Sequence, residues 1–210
     1  MFRGVVGVID HGVGNYISII NLLNKIGVES RRIRSVQDIE ALNSEIDKVI
    51  IPGVGSFDAG VTALSNLGIF EGLKKFTSQG GGLLGICLGM QLMFEASEEG
   101  TKIGLGFFPG ELKRIKEDIN HRVPHVGWHF VDADDEWLFA NVNKKRFYHN
   151  HSFALKAPSD FQIASIQYSE EYVVAVRKGN IVGVQFHPEK SHSAGERIIL
   201  NFLNYDPTDC

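Results

Sequence analysis

The sequence is poor in cysteine and has no long apolar run. Cys87 and Cys210 are the only two cysteines in 210 residues, which is too few for the disulfide framework of a small secreted domain. The apolar run at residues 5–9 stops at Asp10 and is too short for a signal peptide or a membrane span. We therefore expect a cytoplasmic protein that is not bound to a membrane, because a free thiol suits a reducing compartment.

The sequence also lacks a surplus of basic residues, a repeat and a linker. The formal net charge is −4, and the longest basic clusters, near residues 31–34 and 144–146, are too short to bind a nucleic acid backbone. A chain of this length can bury about 70% of its unfolded surface as one unit. We expect a single domain over residues 1–210 with no nucleic acid partner.

Apolar segments alternate between strand and helix patterns in the first half. Strands are expected at residues 5–9, about 28–33, 48–51 and 82–86, and helices at about 16–26, 57–75 and 88–94. This order predicts an α/β fold with an open, mostly parallel central sheet flanked by helices. The second half predicts additional antiparallel strands before a final helix, at about residues 111–115, 126–131, 146–155, 161–168, 173–177 and 181–185, with the helix at 194–203.

Cys87 lies in the sequence Gly-Ile-Cys-Leu-Gly, between a predicted strand and a predicted helix. Small residues two places either side of a nucleophile allow the sharp strand-to-helix turn called a nucleophile elbow. The unpaired N–H groups at the helix start can stabilise a thiolate and an oxyanion. His187 and Glu189, one residue apart in a His-Pro-Glu segment, can supply a base and the carboxylate that orients it. Separately, the cysteine and the histidine would each be interpreted as buried structural residues.

Two further segments are expected at the same edge of the sheet. Pro52-Gly53-Val54-Gly55 follows the second predicted strand, and its glycines let backbone N–H groups approach a substrate oxygen, or else only end the strand. Gln91 lies one helical turn after Cys87, where its amide can contact a polar substrate group or simply face solvent.

The eight histidines raise the question of a metal site. His149 and His151 can point to one side of an extended segment, but no further ligand stands nearby in sequence to complete a tetrahedral site. His121 and His125 flank a proline and are expected in a solvated or structural loop. We therefore predict that these histidines bind no metal.

These motifs together resemble the class I (triad) glutamine amidotransferases, and most closely the glutaminase subunits of imidazole glycerol phosphate synthase. The matching segments keep the family's order over nearly the whole chain: residues 10–15, 52–55, 84–91, 124–128, 151–152, 175–179 and 185–191. The elbow with His-Pro-Glu is typical of the superfamily. Pro-Gly-Val-Gly, Pro-His-Val-Gly-Trp and His-Pro-Glu-Lys-Ser are typical of this subunit type.

The resemblance implies that Cys87 attacks the side-chain amide of L-glutamine while His187, oriented by Glu189, moves the protons. It implies an oxyanion hole from the backbone N–H groups of Val54 and Leu88. The substrate contacts implied are Gly53, Gly55, Gln91, Ser152 and Phe153. No metal or organic cofactor is needed for this chemistry.

The resemblance also implies a partner. The ammonia would pass to a separate (β/α)8 cyclase subunit in a heterodimer that serves histidine biosynthesis. Asn15, Trp128, Tyr148 and Lys190 are the residues that the resemblance places at this interface. Partner binding would activate the glutaminase by rearranging the Pro52–Gly55 segment.

The sequence departs from the family pattern at His11, His149, Asn150 and Phe153. Tyrosine is common at positions 11 and 153, and an apolar residue precedes the histidine at 151. These positions lie near the substrate pocket or the partner face, so a paralogous subunit that serves another acceptor, such as a sugar of a surface polysaccharide, stays open. The sequence also leaves open a catalytically silent regulatory subunit and a cysteine peptidase.

Overall fold

A computed structural model describes residues 2–12, 14–44, 47–133 and 137–205. The strands are β1 (Val6–Ile9), β2 (Ser30–Ile33), β3 (Lys48–Ile51), β4 (Gly82–Ile86), β5 (Phe94–Ser97), β6 (Phe108–Arg114), β7 (His125–Phe130), β8 (Asp132–Ala133), β9 (Arg146–His151), β10 (Phe153–Lys156), β11 (Gln162–Gln167), β12 (Glu171–Lys178) and β13 (Ile181–Val184). The helices are α1 (Tyr16–Lys25), α2 (Val36–Glu40), α3 (Phe57–Asn66), α4 (Phe70–Ser78), α5 (Leu88–Gln91) and α6 (His192–Leu203), with a 3-10 turn at Pro188–Lys190.

Most of these strands form one mixed sheet in the order β2-β1-β3-β4-β13-β12-β10-β6-β5. The neighbouring strands β2, β1, β3, β4 and β13 run parallel to one another. The sheet then continues through β12, β10 and β6, each of which is antiparallel to the strand before it. Strands β7 and β9 form a separate antiparallel pair. The expected α/β fold with a parallel centre and added antiparallel strands is confirmed.

The central parallel strands β1, β3, β4 and β13 are buried on both faces because helices cover both sides of the sheet. Along β3, Ile50 packs into a cluster with α1 and α6, whereas Val49 and Ile51 pack into a cluster with α3 and α4. Each fully buried aliphatic side chain of this kind contributes about 1.5–3 kcal/mol. The two clusters hold the carboxyl ends of β3, β4 and β13 at one edge of the sheet.

Three predicted elements were wrong in their extent. The single helix over 57–75 is two helices, because Gly68 adopts a left-handed φ of 65° and ends α3. The helix after Cys87 stops at Gln91, and the apolar run continues into β5, a buried strand that periodicity does not distinguish from a buried helix. The strand over 146–155 divides at Ser152, where the chain leaves β7 and joins β6 and β12 as β10.

The first turn of α2 is capped by a serine side chain. The Ser35 hydroxyl accepts a hydrogen bond from the Asp38 N–H, which satisfies one of the backbone donors that a helix start leaves unpaired. None of the helices in the described part of the chain has the length and apolar character needed to cross a bilayer.

Candidate active site

Cys87 occupies a strained turn between β4 and α5. Its φ is 53° and its ψ is −110°, a left-handed conformation that a residue other than glycine rarely adopts. The Cys87 N–H donates to the carbonyl of Val184 at 2.8 Å, so the end of β13 holds the turn in place. The backbone geometry is that of the predicted nucleophile elbow.

The two glycines of the elbow are required by close packing. A Cβ on Gly89 would lie 1.8 Å from the carbonyl oxygen of Ile51, and a Cβ on Gly85 would lie 2.6 Å from the carbonyl oxygen of Gly89. Neither backbone can retreat without moving β3 or β4. The Gly-x-Cys-x-Gly spacing therefore follows from how tightly α5 crosses the ends of these strands.

The structure brings the three predicted triad residues together. Nδ1 of His187 lies 2.8 Å from Oε1 of Glu189, and the two side chains are 1% and 2% exposed. The His187 N–H donates to the carbonyl of Tyr148, which fixes the backbone of the histidine. Oε2 of Glu189 is buried and has no hydrogen-bond partner among the described residues, so the carboxylate is committed to the imidazole.

The imidazole of His187 also interacts with Cys87. Burial acts to lower the pKa of His187, but hydrogen bonding and charge interactions with Cys87 and Glu189 outweigh it and raise that pKa to about 10. Because Nδ1 is taken by Glu189, the interaction with Cys87 falls to Nε2, which makes no hydrogen bond of ordinary geometry within the described part of the chain. The raised pKa favours the imidazolium form of His187 at neutral pH.

Cys87 opens onto a cleft of about 260 Å³. Most of the predicted substrate and oxyanion residues line this cleft, and several other residues do as well: Val54, Gly55, Cys87, Leu88, Gln91, Glu99, Pro124, Asn150, His151, Ser152 and Phe153. Gly53 does not line it. Gly53 is buried, and a Cβ there would lie 2.9 Å from Cβ of Leu88, so this glycine lets the loop after β3 pack on the start of α5.

Gln91 is held in one orientation inside the cleft. Its Nε2 donates to the carbonyl of Phe153 and to Oε1 of Gln185, both at 3.1 Å. Nε2 of Gln185 in turn donates to Sγ of Cys87 at 3.7 Å. With both amide hydrogens of Gln91 engaged, its Oε1 is the atom left to contact a substrate. Oε1 of Gln91 is therefore available as a hydrogen-bond acceptor in the cleft.

The loop before the predicted oxyanion residue Val54 is held by His11, one of the departures from the family pattern. His11 is buried, and its Nε2 lies 2.8 Å from the carbonyl oxygen of Pro52. Burial lowers the pKa of His11. The hydrogen bond to the Pro52 carbonyl acts to raise this pKa but does not outweigh the burial. A neutral His11 therefore donates its Nε2–H to the peptide that precedes Gly53.

Three histidines meet behind one wall of the cleft. His125, His149 and His151 are all buried, and one ring nitrogen from each lies within 4.8 Å of the others. His125 was expected in a solvated or structural loop. The loop and the solvated alternative were wrong, because His125 lies on β7 and is 1% exposed. The prediction of no metal rested only on neighbours in sequence, so it missed a third candidate ligand from the adjacent strand.

The chain matches the family model described as "Glutamine amidotransferase class-I" over residues 7–204. The chain is a class I glutamine amidotransferase. Among curated relatives, "Imidazole glycerol phosphate synthase subunit HisH 2" of Methanococcus maripaludis is 39% identical, covering 95% of this chain and 98% of the relative. The protein of the same name in Pseudomonas aeruginosa is 37% identical over 93% and 97%. The "subunit HisH" of Leptospira interrogans is 37% identical over 95% and 100%.

Solved structures share the fold of this amidotransferase. A crystal structure of a glutamine amidotransferase superposes with a TM-score of 0.74 at 20% identity, covering 95% of this chain and 97% of the other. The structure of PurLQS from Thermotoga maritima gives 0.71 at 18% identity over 97% and 99%. The family membership makes this chain an enzyme.

Three of the residues predicted at a partner interface of this amidotransferase lie close together. The Lys190 ammonium lies 5.2 Å from the ring centroid of Tyr148, and that ring lies 6.0 Å from the ring of Trp128. Asn15 precedes α1 and accepts a hydrogen bond from Ser18. Ser18 and Lys190 line the same surface groove. The interface role of the four residues stays a prediction.

Sequence reasoning missed two residues of the amidotransferase site. Gln185 is fully buried and links Gln91 to Cys87; its sequence signal is a polar side chain directly after the buried strand β13. Glu99 is the only carboxylate among the described residues that line the cleft, and its Oε2 accepts from the Phe57 N–H at 2.8 Å. Nothing in the sequence around Glu99 marks it, because the fold alone brings it to the cleft.

Proposed function

We propose that this amidotransferase is the glutaminase subunit of a two-chain imidazole glycerol phosphate synthase. It hydrolyses L-glutamine through Cys87 and passes ammonia to a separate (β/α)8 cyclase in the cytoplasm. The observation that carries the catalytic part is the buried row of Cys87, His187 and Glu189 beside the cleft. The relatives that are named as subunits of that synthase support the cyclase as the acceptor of the ammonia.

The first half-reaction makes a thioester. The Cys87 thiolate attacks the side-chain amide carbon of glutamine, and the negative charge moves to the amide oxygen. The Leu88 N–H has no acceptor within its helix because it is at the first turn, so it can bind this oxyanion together with the Val54 N–H. The His187 imidazolium gives its Nε2 proton to the leaving nitrogen, and ammonia departs as the glutamyl thioester forms.

The second half-reaction restores the thiolate. Neutral His187 takes a proton from water, the resulting hydroxide attacks the thioester carbonyl, and glutamate leaves as the carbon–sulfur bond breaks. Glu189 accepts the Nδ1–H throughout and stabilises the imidazolium each time it forms. The triad residues supply all the proton transfers, so the proposed reaction needs no metal or organic cofactor.

The polar ends of the substrate have matching groups in the cleft. Oε1 of Gln91 and the carboxylate of Glu99 can accept hydrogen bonds from the α-ammonium group of glutamine. The segment at Ser152 and Phe153 faces the same space and can hold the α-carboxylate. This arrangement favours a free amino acid over a peptide, because a peptide bond would remove the charges that these groups bind.

A second acceptor is favoured by one observation. Several relatives are named subunit "HisH 1" or "HisH 2", which implies organisms with more than one such subunit. One copy could serve another acceptor, such as a sugar of a surface polysaccharide. The glutaminase chemistry is the same in both cases, so only the partner distinguishes them.

The experiment is to measure product formation by this chain with the (β/α)8 cyclase of the same organism and its nucleotide substrate. We expect the cyclase to activate glutamine hydrolysis strongly and to form product from glutamine. Cys87→Ala should abolish the glutamine-dependent reaction and keep the ammonia-dependent one. Cys210→Ala is the matched control and should behave as the unaltered chain.

The two results that would contradict these expectations test different parts of the proposal. Glutamine hydrolysis that the cyclase does not activate would move the acceptor to another partner and keep the triad. Glutamine hydrolysis by Cys87→Ala would overturn the catalytic assignment itself.

A further inference from the structure

Antiparallel pairing of β7 and β9 gathers three histidine side chains on one face. His125 lies directly opposite His151 in the register, and His149 is two residues before His151 on the same strand. Residues two apart on a strand point to the same side. The fold therefore converges His125, His149 and His151, which we call the histidine cluster, from two strands.

The cluster has the geometry of a set of metal ligands. One ring nitrogen from each histidine lies within 4.8 Å of the others. Nδ1 of His125 and Nε2 of His151 are already 3.3 Å apart, which is about the separation of two nitrogens bound tetrahedrally to zinc at about 2.0–2.1 Å. A side-chain rotation of His149 would complete the set.

His151 is prepared as a ligand by its second nitrogen. Nδ1 of His151 lies 3.0 Å from the carbonyl oxygen of Phe153. A carbonyl can only accept, so Nδ1 carries the hydrogen and Nε2 presents its lone pair to the centre of the cluster. Metal-bound histidines almost always fix their tautomer in this way.

The other two histidines have nitrogens that no protein group satisfies. Both ring nitrogens of His149 and Nε2 of His125 are buried without a hydrogen-bond partner among the described residues. Burial also keeps the three imidazoles neutral, since it lowers the pKa of His149, that of His125 to about 3 and that of His151 to about 4. Neutral imidazole nitrogens are the form in which histidine binds a metal. A bound ion would replace the hydrogen bond between Nδ1 of His125 and Nε2 of His151.

We propose that His125, His149 and His151 form a binding site for one divalent transition-metal ion of the zinc class. Three imidazole ligands suit zinc, cobalt and nickel and exclude calcium and magnesium, which require oxygen ligands. Three protein ligands leave the fourth position of a tetrahedral ion open to water. The ion ties β7 to β9 and fixes His151, which lines the glutamine cleft.

On the side of the triad, the imidazolium of His187 repels positive charge at His149 and His151. Glu189 offsets part of this charge through its contact with His187. The ion would lie beside the triad, and none of its three proposed ligands is a triad residue.

The test is direct metal binding by the full-length, untagged chain. Cys87→Ser is used as the background, because a thiolate beside the cluster would itself bind zinc. Zn²⁺ content is measured after equilibrium dialysis, and Co²⁺ is followed by its visible absorption, which reports tetrahedral coordination. We expect one Zn²⁺ or one Co²⁺ per chain. This readout uses no turnover, so it is independent of the proposed glutaminase reaction.

His149→Phe should weaken binding at least about 100-fold, because loss of a direct ligand costs at least as much as loss of the partners that orient one. His125→Asn should weaken it similarly, and thermal unfolding verifies that each variant is folded. His121→Asn, a histidine outside the cluster, is the matched control and should bind unchanged. Absence of binding in folded background protein, or equal affinity in a folded His149→Phe variant, would overturn the site.

Discussion

Glu189→Gln isolates the contribution of the buried carboxylate to the proposed reaction. The substitution keeps the size of the side chain and removes its charge, and Oε1 of Glu189 lies 2.8 Å from Nδ1 of His187 with both side chains almost fully buried. A hydrogen bond to a charged group is worth about 1.5–3 kcal/mol. Because each 1.36 kcal/mol is a factor of about ten, kcat/KM for glutamine should fall about 10- to 150-fold.

The same substitution should move the alkaline limit of activity. The Cys87 and Glu189 interactions together raise the pKa of His187 to about 10, so the imidazolium that protonates the leaving ammonia persists well above neutral pH. Glu189→Gln removes the carboxylate that helps to raise the pKa of His187, so that pKa should fall. The imidazolium form of His187 is then lost at a lower pH. The alkaline limb of the kcat/KM profile should therefore shift to lower pH.

The assay is glutaminase turnover with the cyclase partner, measured as a function of pH. Glu71→Gln is the control, because Glu71 forms an exposed ion pair with Lys74 on α4, remote from the cleft, and surface pairs contribute little. Ammonia-dependent synthesis should be unchanged in both variants. An unaltered kcat/KM and an unmoved alkaline limb in Glu189→Gln would refute the role given to the carboxylate.

Two other substitutions test the backbone around the nucleophile. Gly89→Ala places a Cβ 1.8 Å from the Ile51 carbonyl oxygen, so we expect loss of glutaminase activity and a lower melting temperature. Gly179→Ala is the control, because its Cβ meets no atom within 4 Å. It should cost only about 1–2 kcal/mol of backbone strain. Equal melting temperatures for the two variants would contradict the packing argument. His11→Phe removes the hydrogen bond to the Pro52 carbonyl and should change kcat more than KM, because it loosens the oxyanion loop and touches no substrate. A change confined to KM, measured by steady-state kinetics, would show that His11 instead contacts glutamine.

The sequence predicts most of the fold because its parallel strands are short apolar runs bounded by glycines and polar residues. β4 matches its predicted bounds of 82–86 and β3 its predicted bounds of 48–51. The chain after Gln91 was misassigned, because Leu92, Met93 and Phe94 are all buried and carry no periodicity. Local patterns do not distinguish a buried strand from a buried helix.

Some residues of the candidate site can also be predicted from the sequence, and others cannot. Cys87, His187 and Glu189 are marked by glycine spacing and by a short motif, so sequence reasoning finds them. Gln185 and Glu99 contribute through long-range contacts that only the folded chain creates. Their neighbours in space are far away in sequence, so no local pattern reports them.

The histidine cluster shows the same limit. His149 and His151 share one side of a strand, as their spacing indicates, but the third ligand depends on the register of β7 against β9. A shift of one residue in that register would turn His125 to the opposite face. The pairing of two strands, rather than any motif, creates the cluster.

The most direct test of the catalytic assignment is covalent labelling with a diazo-ketone analogue of glutamine, followed by mass spectrometry of the digested protein. The analogue places an electrophilic carbon where the side-chain amide of glutamine binds, so the Cys87 thiolate should be alkylated once per chain. Excess glutamine should protect it, and the peptide that contains Cys210 should stay unlabelled. No label on Cys87, or a label that glutamine does not prevent, would contradict the proposal that Cys87 is the glutaminase nucleophile.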